Sequence, residues 1–132
     1  MSEDANEGAE AGGDPKRPKY DLEEWTAKFG EAVVRFAKRI PVDEVTRPII
    51  GQLVRAAISV GANYCEADEA DTKKEFRYRI SLCRRESRET RFQLRMVVAA
   101  EEALREDARR LWQEGKELSL IFNAILRKRK DD

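Results

Sequence analysis

Apolar residues recur at steps of three and four along most of this chain, with charged residues filling the intervals, the pattern of amphipathic helices. Leu22, Trp25, Phe29, Ala32, Phe36 and Ile40 predict a first helix, opened by Asp21 and Glu24 as a capping pair and stopped by Pro41. A second helix has Thr46 as its expected cap and Pro48 in its first turn. Its inner row is Ile50, Leu53, Ala57, Val60 and Tyr64, with Gly61 beside it. After an acidic turn, Thr72 and Glu75 repeat the capping pattern and open a third helix. Phe76, Ile80, Cys83, Ser87, Thr90, Leu94 and Val97 there alternate steps of four and three, the repeat of a bundle seam. A fourth carries Leu104, Ala108, Leu111, Gly115, Leu118, Phe122 and Ile125. No proline or glycine separates the third helix from the fourth, so the boundary falls near Ala99 to Ala103 and partial continuity stays open. Four such helices on short connections predict an all-α, up-down-up-down antiparallel four-helix bundle over residues 20–130, with left-handed crossing.

Composition sharpens this picture. The 132 residues are enough for one domain, and 41% hydrophobic with 39% charged residues suits long helices with charged outer faces. Five of the eleven glycines and prolines lie in the first eighteen residues, leaving few breakers afterwards. Residues 1–19 read as a disordered acidic tail, too polar to offset the entropy of ordering. The net charge is zero, but residues 1–14 hold five acidic side chains and no basic one, so the remainder carries a surplus of five positive charges. No apolar run reaches membrane-spanning length and no secretory signal is evident, which predicts a soluble cytoplasmic protein with no membrane partner. Cys65 and Cys83 lack zinc or disulfide spacing and are expected as small core residues in a reducing compartment.

The third helix has more apolar positions than one seam can use. Tyr78, Leu82, Phe92 and Met96 lie roughly opposite Phe76 and Ile80, and each large apolar side chain left in water forgoes about 1.5 to 3 kcal/mol of burial. The fourth helix is apolar around much of its circumference from Leu118 to Leu126. Scattered surface hydrophobes are the plain alternative, but a stripe of them predicts a self-association interface. Between the two faces runs Lys74, Arg77, Ser81, Arg84, Arg88, Arg91 and Arg95. Residues 73 to 95 hold a surplus of six positive charges, and Arg127 to Lys130 add more. Guanidinium forks match phosphate geometry, so the stripe is a candidate nucleic-acid-binding surface. Its rival is a solvated face paired with Glu86, Glu89 or a neighbouring subunit's acids. On the second helix, Ser59, Asn63 and Glu66 share one face and are expected to form a structural polar network with Ser87 and Thr90.

Enzyme chemistry is hard to assemble. The chain has no histidine, which removes the usual general base and the Glu-x-x-His ligands of a di-iron bundle. It has no phosphate-cradling glycine loop and no helix-turn-helix signature. A magnesium site at Glu66, Asp68, Glu69 and Asp71 is imaginable, but acids before a helix N-terminus are explained by the helix dipole. No catalytic residue, cofactor, metal or small-molecule substrate is expected.

The segment Gln52 to Asp68, with Arg55, Ser59, Asn63 and Glu66 set among its apolar positions, resembles the signature of the 23S rRNA-intervening-sequence proteins. These are small four-helix-bundle proteins encoded within bacterial large-subunit ribosomal RNA genes. The resemblance extends over Tyr20 to Lys38, Arg84 to Thr90 and Ala108 to Glu114. Relatives often carry an aromatic residue where this chain has Gln93. It implies the bundle fold and ring-shaped homopentamers. Relatives include accessory proteins of diversity-generating retroelements, which work with a reverse transcriptase and nucleic acid. The resulting expectation is a homo-oligomeric scaffold that binds structured RNA or a reverse transcriptase-type nucleoprotein through its arginine stripe. The alternative is a structural or protein-interaction module that does not bind nucleic acid.

Overall fold

The computed structural model describes residues 21–130, with side chains through Lys128; the tail expected over residues 1–19 lies outside the described residues. Four helices follow in order: α1 (Leu22–Ala37), α2 (Thr46–Asp68), α3 (Lys73–Ala100) and α4 (Arg105–Lys130), the last preceded by a 3-10 turn at Glu102–Leu104.

Two helix starts follow the local sequence as expected. Asp21 Oδ1 accepts the Glu24 N–H at 3.2 Å, and Thr72 Oγ1 accepts the Glu75 N–H at 3.0 Å. The start of α2 differs from expectation. Asp43, not Thr46, is the capping side chain, its Oδ1 accepting the N–H groups of Val45 and Thr46, both at 2.8 Å. Thr46 Oγ1 answers by accepting the Asp43 N–H at 2.9 Å and donates to the Pro41 carbonyl at 2.6 Å. Thr46 is thus the third-position member of a reciprocal box, a role the threonine fills because Asp43 sits three residues upstream. The Thr46 N–H in turn holds the Asp43 carboxyl below its usual range.

The first helix closes at Ala37, where N–H groups of Arg39 and Ile40 reach back three residues to Phe36 and Ala37 and tighten the last turn. Ile40 is still buried, beyond the helix proper. At the third connection Glu101 leaves helical geometry at φ −141° and ψ 87°, so α3 and α4 are not continuous.

Bonded or closely approaching pairs give the topology. Thr26 lies against Gly61 and Ala57 against Gly30; Cys83 donates to the Val60 carbonyl while Arg55 meets Glu86; Arg77 meets Leu126 while Ser87 meets Ser119; Trp25 meets Glu114 while Arg39 meets Asp107. In every neighbouring pair one number rises as the other falls, so each helix runs antiparallel to the next and α4 returns to α1. A Cβ on Gly61 would come within 3.3 Å of Thr26 Oγ1, which is why a glycine stands at the α1–α2 crossing.

The core follows the predicted rows except in α1, where Val33 is buried and Ala32 half-buried, and at the end of α4, where Leu126 is buried and Ile125 half-buried. Phe29, Val33, Leu53, Val60, Ile80, Leu94, Val97, Leu118 and Phe122 are fully buried. In the α3 row Cys83, Ser87 and Thr90 are buried as well, while Phe76 is half-buried. Thr90 donates to the Glu86 carbonyl at 2.8 Å, and the Ser87 and Ser119 hydroxyls meet at 2.5 Å. Gln93 is buried and donates to Glu89 Oε2 at 3.0 Å. Cys83 is a core residue whose thiol burial pushes up to about 12, leaving it unreactive at neutral pH. Cys65 is exposed, against expectation, because its position on α2 falls one step outside the row of Val60 and Tyr64. Among the described residues no helix is long and apolar enough to cross a membrane.

Candidate nucleic-acid interface

The stripe on α3 divides into two columns. Arg77, Arg84 and Arg91 recur every seven residues, as do Lys74, Ser81, Arg88 and Arg95; the columns are offset by three residues, about 60° around the helix. The first column leans into α4. Arg77 Nη1 donates to the Leu126 carbonyl at 2.6 Å, and Arg84 Nη1 to Asn123 Oδ1 at 2.9 Å. Arg91 sits with Cζ 5.3 Å from the Trp112 ring centroid and Nη2 3.4 Å from Ser119 Oγ. Its Nε is buried without an acceptor, and burial, followed by Arg88, lowers its pKa. Gly115 makes room for it, since a Cβ there would come within 3.2 Å of Arg91 Cγ.

The second column makes no such bonds, and its Lys74, Arg88 and Arg95 are exposed, as is Arg84 of the first column despite its bond to Asn123. Neither column contains a side chain within ion-pair distance of a carboxylate among the described residues. Glu86 is instead taken by Arg55 of α2, whose Nη2 lies 3.2 Å from Glu86 Oε1 and whose Nε lies 3.2 Å from Gln52 Oε1. Glu89 accepts from Gln93. Of the intrachain partners proposed for neutralising the stripe, Glu86 is therefore neutralised by Arg55, while Glu89 is hydrogen-bonded to a neutral amide and pairs with none of the stripe's cations among the described residues. Arg127 and Lys128 are exposed, adding charge at the end of α4; the side chains of Arg129 and Lys130 lie outside the description.

The polar set of α2 is arranged differently from the expected network. Asn63 Nδ2 donates to the Ser59 carbonyl one turn back at 2.9 Å, and Asn63 Oδ1 accepts from Arg79 Nη1 at 3.3 Å. Glu66 is exposed, and Ser87 and Thr90 satisfy their hydroxyls on α3 and α4. The reason is rotational: Ser87 and Thr90 point into the core and toward α4, while Asn63 looks outward onto the α2–α3 flank. Arg79 is held there by Glu75 at 2.8 Å, whose hydrogen bond raises its pKa.

The second apolar face of α3 is open. Tyr78 is 54% and Phe92 51% exposed, with Leu82 and Met96 half-buried between them. Leu120 of α4 is also more than half exposed. Near the start of α3, Glu66, Glu69, Asp71 and Glu75 surround a shallow hollow, but among the described residues no three His, Cys, Asp or Glu side chains converge on a metal position. The Asn123 amide, the Leu126 carbonyl and the Trp112 ring were not foreseen as partners of the stripe. Trp112 lies within the resembling segment Ala108 to Glu114, but only the α3–α4 register places it beside Arg91.

Comparison with known proteins agrees with this architecture. The profile of the 23S rRNA-intervening sequence protein family matches residues 20–124. A crystal structure described as a protein with unknown function from the S23 ribosomal protein family, from Bacteroides thetaiotaomicron VPI-5482, superposes with a TM-score of 0.70. It is 21% identical, and the match covers 80% of this chain and 97% of that one. At that identity the likeness concerns the fold. No curated protein matches significantly.

Proposed function

We propose that this chain, which belongs to the 23S rRNA-intervening sequence protein family, is a non-enzymatic, cytoplasmic, homo-oligomeric scaffold that binds structured RNA through the basic columns of α3. The observation that carries the reading is the absence of carboxylate partners for Lys74, Arg77, Arg84, Arg88, Arg91 and Arg95 among the described residues, beside acids that are engaged elsewhere. A helix surface that keeps its positive charge unneutralised is one a polyanion can neutralise, releasing counterions as it does so. Three exposed cations on one column are a weak site alone. Repeated around a symmetric ring, with five copies as the family resemblance suggests, they become a multivalent track. The partner on that track is RNA itself or a nucleoprotein of the reverse-transcriptase type.

The exposed Tyr78 and Phe92 favour one other reading, a protein-interaction module in which this apolar face does the work and nucleic acid is absent. Two measurements separate them. Light scattering coupled to size exclusion reads the mass, and Tyr78→Glu with Phe92→Glu is expected to reduce it to the monomer while helicity is kept. Fluorescence anisotropy with a structured RNA across a salt series is expected to show binding that weakens steeply with salt. Oligomers that bind no RNA at low salt would leave the interaction module as the function.

A further inference from the structure

Where α3 ends and α4 begins, the two helices enclose a groove of about 560 Å³ that the columns do not fill, within the size range of small-ligand sites. It exists because Glu101 and the 3-10 turn set the helices apart before they close up, and because Ala99 and Ala108 contribute only methyl groups to its walls. Its floor is apolar, built from Leu94, Val98 and Ala108 with Trp112 as one wall. Its rim is cationic. Arg105 is bonded to Glu102, which cancels that pair, whereas Arg95 and Arg109 have no partner among the described residues. Arg91 and Lys116 sit 5.3 and 5.7 Å from the centroid of the Trp112 ring, so cations gather around the indole as well. Arg95 is also the last residue of the exposed column, which makes the groove continuous with the proposed RNA track.

We infer that this groove receives one unpaired nucleotide of a bound RNA, with the base seated on the apolar floor against Trp112 and the adjoining phosphates paired with Arg95 and Arg109. The inference rests on the RNA reading above and adds a preference to it. An apolar slot with an aromatic wall gains from a base's π-face, and two unpaired guanidinium groups at its mouth match the backbone on either side of that base. A continuous duplex keeps its bases stacked and has nothing to insert, so the groove favours loops, bulges and single strands.

The test uses the intact protein carrying Trp25→Phe, so that Trp112 is the only tryptophan, titrated with an unstructured 12-nucleotide RNA, a blunt duplex of equal length and free adenosine monophosphate. The single strand is expected to quench Trp112 and the duplex to leave it unchanged. In the otherwise wild-type protein, Trp112→Leu should weaken single-strand binding about tenfold and duplex binding less than twofold. Ala99→Trp, at an exposed position lining the groove, is expected to fill it and to reproduce that loss, with helicity by circular dichroism as the folding control. Equal losses for both RNAs, or none, would overturn the nucleotide site and leave RNA binding by the columns standing. Failure to bind either RNA would overturn both. Quenching by the mononucleotide at the affinity of the single strand would assign the groove to a free nucleotide. Emission that changes with protein concentration alone would assign it to a second copy of the chain, and either result overturns the RNA site.

Discussion

The two flanks of α3 are both lined with arginine, yet they do opposite things with it. Toward α2, Arg55 closes on Glu86 and Arg79 on Glu75, with Asn63 as a further acceptor, so the charge is spent inside the chain. Toward α4, Arg77, Arg84 and Arg91 meet a backbone carbonyl, an amide oxygen and a serine hydroxyl. Neutral acceptors fix an arginine in place but leave its charge intact, whereas a carboxylate cancels it. Number of arginines is therefore a poor guide to how much positive charge a helix face keeps, and identity of their acceptors a better one.

The largest expected effect sets the two basic columns, which lack carboxylate partners, against the α2 flank. Lys74→Gln, Arg84→Gln and Arg88→Gln together should lower RNA affinity about 100-fold at low salt and reduce the slope of log affinity against log salt by about two, as each lost phosphate contact removes about 0.7 to 0.9. The control on the other flank, Arg55→Gln with Arg79→Gln, should change that slope by less than about 0.5. Equal slopes for the two variants would dissolve the distinction between the flanks.

A second experiment asks what holds the α4 flank together. Ser119→Val removes the hydroxyl that Ser87 meets in a buried position and that Arg91 approaches, and should destabilise the fold by about 1 to 3 kcal/mol in urea unfolding. An unchanged midpoint would mean that Ser87 is satisfied by the Arg84 carbonyl alone. On the α2 flank the corresponding effect is smaller. A double-mutant cycle on Arg55 and Glu86, whose side chains are 49% and 16% exposed, should return about 0.5 kcal/mol and shrink with salt. A coupling several times larger would mark that flank as the stabilising one.

The smallest effect belongs to neither flank and serves as their reference. Arg39, 2.6 Å from Asp107, holds that carboxyl below its usual range by hydrogen bonding, with Arg110 assisting. Because the folded state lowers the pKa, the contribution is fully present above about pH 4, the ordinary aspartate value, and fades as the pH falls through the folded value. The stability difference between the wild-type protein and Asp107→Asn should accordingly be present at pH 7 and vanish in strong acid. A difference that persists at pH 2 would refute the ion pair as its source.

Much of the molecule was legible in the order of its residues. The inner rows of all four helices, the caps at Asp21 and Thr72, and the antiparallel bundle rest on helical periodicity and on bonds three residues long, both of which are local. The cap at Asp43 was legible too but obscured, since Asp43 and Thr46 are each good capping residues and only the backbone path after Pro41 decides which one leads. Tertiary structure decided the rest. Lys74, Arg77, Arg84, Arg88, Arg91 and Arg95 share one broad side of α3 in the sequence pattern, but a three-residue offset turns a side chain by about 60°, and that angle separates the column that bonds to α4 from the one that does not. The same rotation takes Asn63 away from Ser87 and leaves Cys65 exposed while Cys83 is sealed in the core. The sequence by itself determined which face of each helix is apolar and the local Glu75–Arg79 pair; only the packing of neighbours determined which acceptors the stripe arginines Arg77, Arg84 and Arg91 met, because those acceptors lie on α4, 28 to 49 residues away in the chain.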